Sequence, residues 1–173
     1  MKDMLTGSFR DRESADRAYQ KLREKGYKDN EIHMLMSEDT RKRHYKIDKK
    51  TGEVEMKEGN KALEGGAVGG AVGGAIGATL VGIAAAASTL AVPGLGLVIA
   101  GPLAGALAGG ATGATAGGLT GLLVGAGIPE ERAKLYENDV RAGHVVLGVQ
   151  PHSAADSEDF EREWEREAQH VYR

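Results

Sequence analysis

The sequence predicts an α+β protein: a small sheet-and-helix domain built from the two ends of the chain, interrupted by a long Gly/Ala-rich antiparallel helical hairpin. Three observations point there. Gly65 to Ile128, a stretch of 64 residues, contains no Asp, Glu, Lys, Arg or His and holds 20 of the 26 glycines. Many of those glycines recur at every fourth position. All 22 basic and 25 acidic residues lie in the flanks, where short β-prone runs alternate with helical periodicities.

The glycine register carries the helical reading. Gly65, Gly69, Gly73 and Gly77 form one series, with Gly66, Gly70 and Gly74 beside it; Gly101, Gly105, Gly109, Gly113, Gly117, Gly121 and Gly125 form a second. Residues four apart share a helix face, so each series makes a seam without side chains where another backbone can approach closely. Val68, Val72, Ile76 and Leu80 line a neighbouring row, and Leu103, Leu107, Leu119 and Leu123 repeat the device. A silk-like strand would use the alternation between Gly65 and Ala75, but the run continues into Ala84 to Ala87, and Ala favours helix over strand. A flexible linker would be richer in Ser and charge and poorer in aliphatic residues.

Leu90 to Pro102 breaks the pattern with Pro93, Gly94, Gly96 and Pro102, and is expected to be the turn, near 91–102. The arms then run from about Ala62 to Leu90 and from Leu103 to Gly127, each about 40 Å long if helical. The resulting division is 1–61, 62–128 and 129–173.

In the first flank, Met4 to Phe9 predicts a strand and Asp11 an N-cap; Ala15, Ala18, Tyr19 and Leu22 recur at helical spacing, and Gly26 stops the helix. Ile32 to Met36 completes a strand-helix-strand unit, expected as a parallel pair with a crossover. Tyr45 and Ile47, a turn at Lys50-Thr51-Gly52, then Val54 and Met56 predict a small polar β-hairpin over 44–57. The basic residues Arg41, Lys42, Arg43, Lys46, Lys49 and Lys50 are candidates for lipid headgroups or phosphates; a solvated hairpin face answered by Glu53, Glu55 and Glu58 is the plainer reading.

In the second flank, Pro129 sits at a favoured first helical position with Glu130 and Glu131 behind it. Ala133, Tyr136 and Val140 give that helix its buried side, Gly143 ends it, and His144 to Val149 reads as the third strand. Ser153 caps a last helix whose stripe is Phe160, Trp164, Ala168 and Val171. Glu158 precedes Arg162 by four residues, a spacing that supports the helix locally. Together the flanks predict one ferredoxin-like sheet with helices.

Function classes narrow quickly. A net charge of -3 shows no polyanion footprint, so nucleic acid is not an expected partner. Cysteine is absent, which removes disulfides, thiolate metal sites and a Cys nucleophile. The start MKDMLTGSFRDRES has no apolar core, so a cytoplasmic location is expected. No Gly-Lys-Ser or Gly-Lys-Thr occurs, and the only Gly-x-Gly of note, Gly94-Leu95-Gly96, lies at the hairpin tip. His33, His44, His144, His152 and His170 show no ligand spacing, no Ser/His/Asp arrangement is indicated, and the carboxylate pairs lie on solvated faces. No catalytic residue, cofactor, metal or small-molecule substrate is expected.

Gly7-Ser8-Phe9 with Ala15, Ala18, Leu22 and Gly26-Tyr27, the stretch from Pro93 to Gly110, Gly127-Ile128-Pro129-Glu130-Glu131, Tyr136-Glu137 and Gly143 resemble the bacterial general stress or heat-induced stress protein family, some of whose members are labelled low-temperature-induced proteins. The resemblance covers nearly the whole chain and departs from the family's simpler pattern at Arg41 to Lys50 and in the Glu/Arg-rich final helix. It implies a stress-responsive, non-enzymatic protein and carries over no catalytic residue.

Seven helix-interior glycines cost about 7 kcal/mol against Ala, which packing must offset. An uncharged hairpin also has to be covered, by lipid or by copies of itself. Two arrangements meet this requirement. One is a self-associating hairpin at or in the cytoplasmic (inner) membrane, peripheral or inserted; the other is a soluble ring, cage or filament with hairpins in a dry core. A small-molecule sensor with the hairpin as transmitter is the third reading.

Overall fold

The computed structural model describes residues 4–44, 46–47, 54–55, 90–92, 96–110, 114–125 and 127–172. The first unit forms as its pattern dictates. Strand β1 (Leu5–Phe9) leads into helix α1 (Arg12–Glu24), whose first turn is capped by Asp11: the Ser14 N–H donates to its carboxylate at 2.8 Å. Ala15, Ala18, Tyr19 and Leu22 are buried beneath α1, and a 3-10 turn over Asp29–Glu31 leads into β2 (Ile32–Ser37).

A short helix α2 (Glu38–His44), which the sequence analysis did not anticipate, follows β2. Acids in its first turn and bases in its last complement the helix dipole. Of the polar hairpin expected over 44–57, two paired strands are described, β3 (Lys46–Ile47) and β4 (Val54–Glu55), with Lys46 opposite Glu55 and Ile47 opposite Val54, and the turn lies outside the described residues.

The main sheet has six strands in the order β5-β6-β2-β7-β1-β8, where β5 is Leu90–Val92, β6 is Leu97–Ala100, β7 is Val145–Val149 and β8 is His170–Tyr172. Every neighbouring pair is antiparallel. The expected adjacent pairing of β1 with β2 is therefore corrected. The two strands run parallel to each other, but β7 lies between them, with Leu147 opposite both Gly7 and Met34. In the same way β1 lies between β7 and β8, and each gap is crossed by a helix.

The central segment departs most from its expected form. Leu90 to Pro102 is not a free turn between two arms, because Leu90–Val92 and Leu97–Ala100 pair as a β-hairpin and β6 joins the sheet beside β2, Leu35 opposite Ile99. Leu97, Val98, Ile99 and Ala100 are all buried. An unbroken apolar run suits a strand covered on both faces. The second arm is also not one 40 Å helix. It is α3 (Pro102–Gly110) and α4 (Ala114–Gly125), and α4 is itself broken at Gly118, which has φ 59° and ψ -146°. The domain is thus not made by the flanks alone, since Leu97–Ala100 joins its sheet and Leu103, Leu107, Leu119, Leu122 and Leu123 join its core. The first arm, including Gly65, Gly69, Gly73 and Gly77, and the turn residues Pro93 and Gly94 lie outside the described residues.

Helix α5 (Glu130–Arg141) starts one residue later than expected, with Pro129 as the N-cap, and α6 (Ala154–Glu167) is capped by Ser153. The last helix ends at Glu167, so Val171 belongs to β8 and not to the helical stripe; the β-branched and aromatic residues there pair with the edge of β1, Val171 opposite Gly7.

Helices cover both sheet faces. On one, α1 and α6 bury Phe9, Tyr19, Leu22, Phe160 and Trp164 against the sheet. Gly7 gives the indole room there, since a Cβ at that position would come within 2.8 Å of Trp164 Cε3. The two helices are joined along their outer side by Arg17–Glu167 at 3.1 Å, Lys21–Glu163 and Lys25–Asp159 at 2.8 Å, one pair per turn. Arg162 meets Asp159, three residues back, at 2.5 Å, and reaches only the backbone oxygen of Glu158 at 3.4 Å. The other face carries α3, α4 and α5, and on it lies the candidate site.

Candidate interaction surface

Two devices fasten the glycine-rich layer to the sheet. Gly101 makes the turn from β6 into α3 with φ +83°, pressed so closely on β2 that a Cβ would lie 2.0 Å from the Ile32 carbonyl oxygen. No other residue type fits there. This glycine, counted in the seam by its spacing, is a turn residue outside the helix. Next to it the Leu103 N–H donates to His33 Nδ1 at 3.0 Å, so a β2 side chain satisfies one of the free donors at the start of α3. Burial pushes His33 down to about 4, which keeps the ring neutral and Nδ1 able to accept.

The second device spans the break in α4. The Thr120 N–H and hydroxyl, just beyond Gly118, both donate to Glu137 Oε2 of α5, the first at 2.9 Å. Arg141 closes on the other oxygen at 2.5 Å. The Thr120 hydroxyl holds the Glu137 carboxyl below the usual carboxylate range, and the Thr120 N–H and Arg141 act in the same direction.

These fastenings give the layer two sides. Leu103, Ala104, Leu107, Leu119, Leu122 and Leu123 face inward with Ile128, Ala133, Tyr136 and Val140. Outward lie Gly105 and Gly125, both exposed, and among the described residues a Cβ on either would meet nothing within 4 Å. Gly121 is half-buried, Val124 is 41% exposed and, across on α5, Leu135 is 36% exposed. Neither α3 nor α4 carries a charged residue. Of the other seam residues, Gly109 lies within α3, Gly117 within α4, and Gly113 outside the described residues. Gly96, expected at the hairpin turn, does turn the chain into β6 with φ +61°.

The basic candidates that are described lie on two successive elements. Arg41, Lys42 and Arg43 are on α2, where Lys42 pairs with Glu38 at 2.9 Å and Arg43 donates to the Asp39 carbonyl at 3.4 Å. Lys46 is in β3, while Lys49 and Lys50 lie outside the described residues.

One cluster escaped the sequence analysis. Asp139 of α5, its side chain only 9% exposed, directs Oδ2 at His170 Nδ1, 3.1 Å away on β8, and Oδ1 at His144 Nδ1, 3.5 Å away before β7. Ser8 Oγ lies 3.4 Å from the same His144 nitrogen. Both His144 contacts use Nδ1, and Ser8 is fully buried, so the group has no relay from carboxylate through imidazole to an accessible hydroxyl. One carboxylate joins α5, the α5-β7 turn and β8, while Arg132 stacks 5.9 Å over the Tyr172 ring and Tyr136 meets that ring edge-on.

Among the described residues no group of three or more His, Asp or Glu side chains is arranged to hold a metal ion. No helix among them is long and apolar enough to cross a membrane. Comparison with protein-family models, with curated proteins and with solved structures returns no match.

Proposed function

We propose that the chain is a non-enzymatic, self-associating protein of the stress-protein kind it resembles, and that it associates by packing the outward glycine seam of α3 and α4 against a second copy. The observation carrying this reading is that Gly105 and Gly125 are exposed on helices without charge and have no described residue against them, while the leucines between them are committed to the core. Without side chains on the seam, two backbones can approach closely enough to recover in dispersion contact what the glycines lose in helix propensity. Val124 and Leu135 flank the seam with apolar surface that association would cover.

The fold serves as a platform. The interleaved units β1-α1-β2 and β7-α6-β8 are of the ferredoxin-like kind, extended at the β2 edge by β6 and β5, so the glycine-rich layer rests on a rigid sheet. A partner copy is favoured over lipid for this half of the segment. Helices of 9 and 12 residues whose leucines point inward offer a bilayer little apolar side-chain surface. Sizing in detergent-free buffer, set beside carbonate extraction of a membrane fraction, tests the reading. An assembly larger than the 18.2 kDa chain, released by carbonate, is expected. A chain that stays in the carbonate pellet and is monomeric in buffer contradicts it.

A further inference from the structure

We propose that acid releases α3 and α4 from the sheet: as pH falls, His33 and Glu137 take up protons, both acceptors that fasten this layer are lost, and the two helices open while β1, β7 and the opposite face stay packed. His33 Nδ1 accepts from the Leu103 N–H at 3.0 Å, and once protonated that nitrogen is a donor facing a donor. Glu137 Oε2 accepts from the Thr120 N–H at 2.9 Å and from its hydroxyl, and Arg141 reaches Oε1 at 2.5 Å. A neutral carboxyl gives up one acceptor site to its own proton and loses the charge that strengthens the rest. Neither α3 nor α4 contains a charged side chain to hold the layer by an ion pair instead.

The layer itself keeps His33 neutral. Leu103, Leu123 and Ile128 lie over the same space as the His33 ring, and burial there holds the imidazole at about 4. Once the layer opens, the ring meets water and titrates near 6.5, so each proton it gains traps the open form. No competing charge faces it among the described residues. β1, β6, β7, α3 and α4 contain no ionisable side chain, and α5 presents Tyr136, whose hydroxyl burial pushes up to about 12 and so keeps neutral. Glu137 is faced by Arg141 of its own helix and by Thr120 of the uncharged α4.

The opposite face answers acid in the other sense. Burial raises the Asp16 carboxyl on α1 to about 6, so that side sheds a penalty over the range in which the layer loses its fastening. Global unfolding feels both changes, whereas local opening of α3 and α4 feels only His33 and Glu137. Acid therefore favours the partial opening over the global one. The device lies within one chain and does not depend on self-association.

The test is amide hydrogen exchange of the full chain at pH 7 and pH 4.5, corrected for intrinsic rates, read at Leu103, Leu107, Leu122 and Leu123 and, for reference, along the β1–β7 ladder. From His33 alone the opening constant at the leucines should rise about fiftyfold. That of the ladder should rise by less than about fivefold, because Asp16 offsets His33 there. In His33→Asn the amide oxygen accepts from the Leu103 N–H without titrating, so the rise at the leucines should shrink at least about tenfold. In His33→Asn/Glu137→Gln it should vanish. The proposal is overturned if the leucine amides keep their protection at pH 4.5, if the ladder loses protection to the same extent, or if His33→Asn opens as the parent does.

Discussion

Glu137 holds Thr120 by two hydrogen bonds at once, from the backbone N–H and from the hydroxyl, and that bond pair decides the shape of the glycine-rich layer. A helix broken at Gly118 leaves donors without intrahelical partners. A carboxylate from α5 takes up one of them, as an N-cap would from the preceding residue. The segment therefore bends onto the sheet instead of projecting as a straight arm.

Glu137→Ala removes the acceptor and leaves the Thr120 donors without it, at a cost of about 1–3 kcal/mol. Urea unfolding at neutral pH measures the loss. Because the folded carboxyl titrates below its unfolded value, the stabilisation is complete above the unfolded value and disappears as pH falls through the folded one. The difference between Glu137→Ala and the parent should shrink as the solution is acidified.

His33 gives a second acid dependence. Its folded value of about 4 lies below the 6.5 of a free imidazole, so its contribution is complete above about 6.5 and is lost as pH falls towards 4. By linkage the loss amounts to about 3 kcal/mol at most. In His33→Asn the amide oxygen can accept the Leu103 N–H without titrating. The fall in unfolding free energy between pH 7 and pH 4.5 should be smaller in that variant by about 2 kcal/mol, and an unchanged fall would contradict this role for His33.

Asp16 acts in the opposite sense. Its side chain is 17% exposed, Oδ1 has no partner among the described residues, and burial raises it to about 6 despite the Arg12 guanidinium 3.0 Å from Oδ2. A carboxyl raised above its unfolded value penalises the fold increasingly from about pH 4 to 6 and fully above that. Asp16→Asn should raise stability at pH 7 by about 1–3 kcal/mol, with the gain fading below about pH 4. Thermal melts at both pH values check it.

The Asp139 carboxylate bridges two imidazoles, and one of them opens the last strand. Asp139→Asn keeps the size but leaves one acceptor oxygen where two were used. Amide exchange across the β1–β8 pairing, at Thr6 to Ser8 and Val171, should quicken about tenfold, which corresponds to about 1.4 kcal/mol of local opening. Unchanged rates would mean that the backbone ladder alone holds β8.

The flanks were legible because their signals are local. Asp11 before a stripe of Ala15, Ala18, Tyr19 and Leu22, and Ser153 before Phe160 and Trp164, mark caps and buried faces within a few residues. Leu97 to Ala100 was hidden for a physical reason. Four apolar residues inside a charge-free tract have no period, and only coverage on both faces tells such a strand from a turn or a helix end. The regular glycine spacing concealed that Gly101 and Gly118 have positive φ, since a fourfold repeat looks alike whether its members are helical or turning. The Asp139, His144 and His170 cluster is assembled by sheet pairing, which puts Ser8 opposite His170, and spacing along the chain cannot reveal that.

Sedimentation velocity on the parent chain and on the double variant Gly105→Leu/Gly125→Leu tests the central claim most directly. Among the described residues a Cβ meets nothing at either position, so the variant should keep the parent's circular dichroism and unfolding curve. The account predicts that the parent sediments as an assembly and the variant as an 18.2 kDa monomer. A parent that is monomeric at every concentration, or a variant that assembles as the parent does, would contradict it.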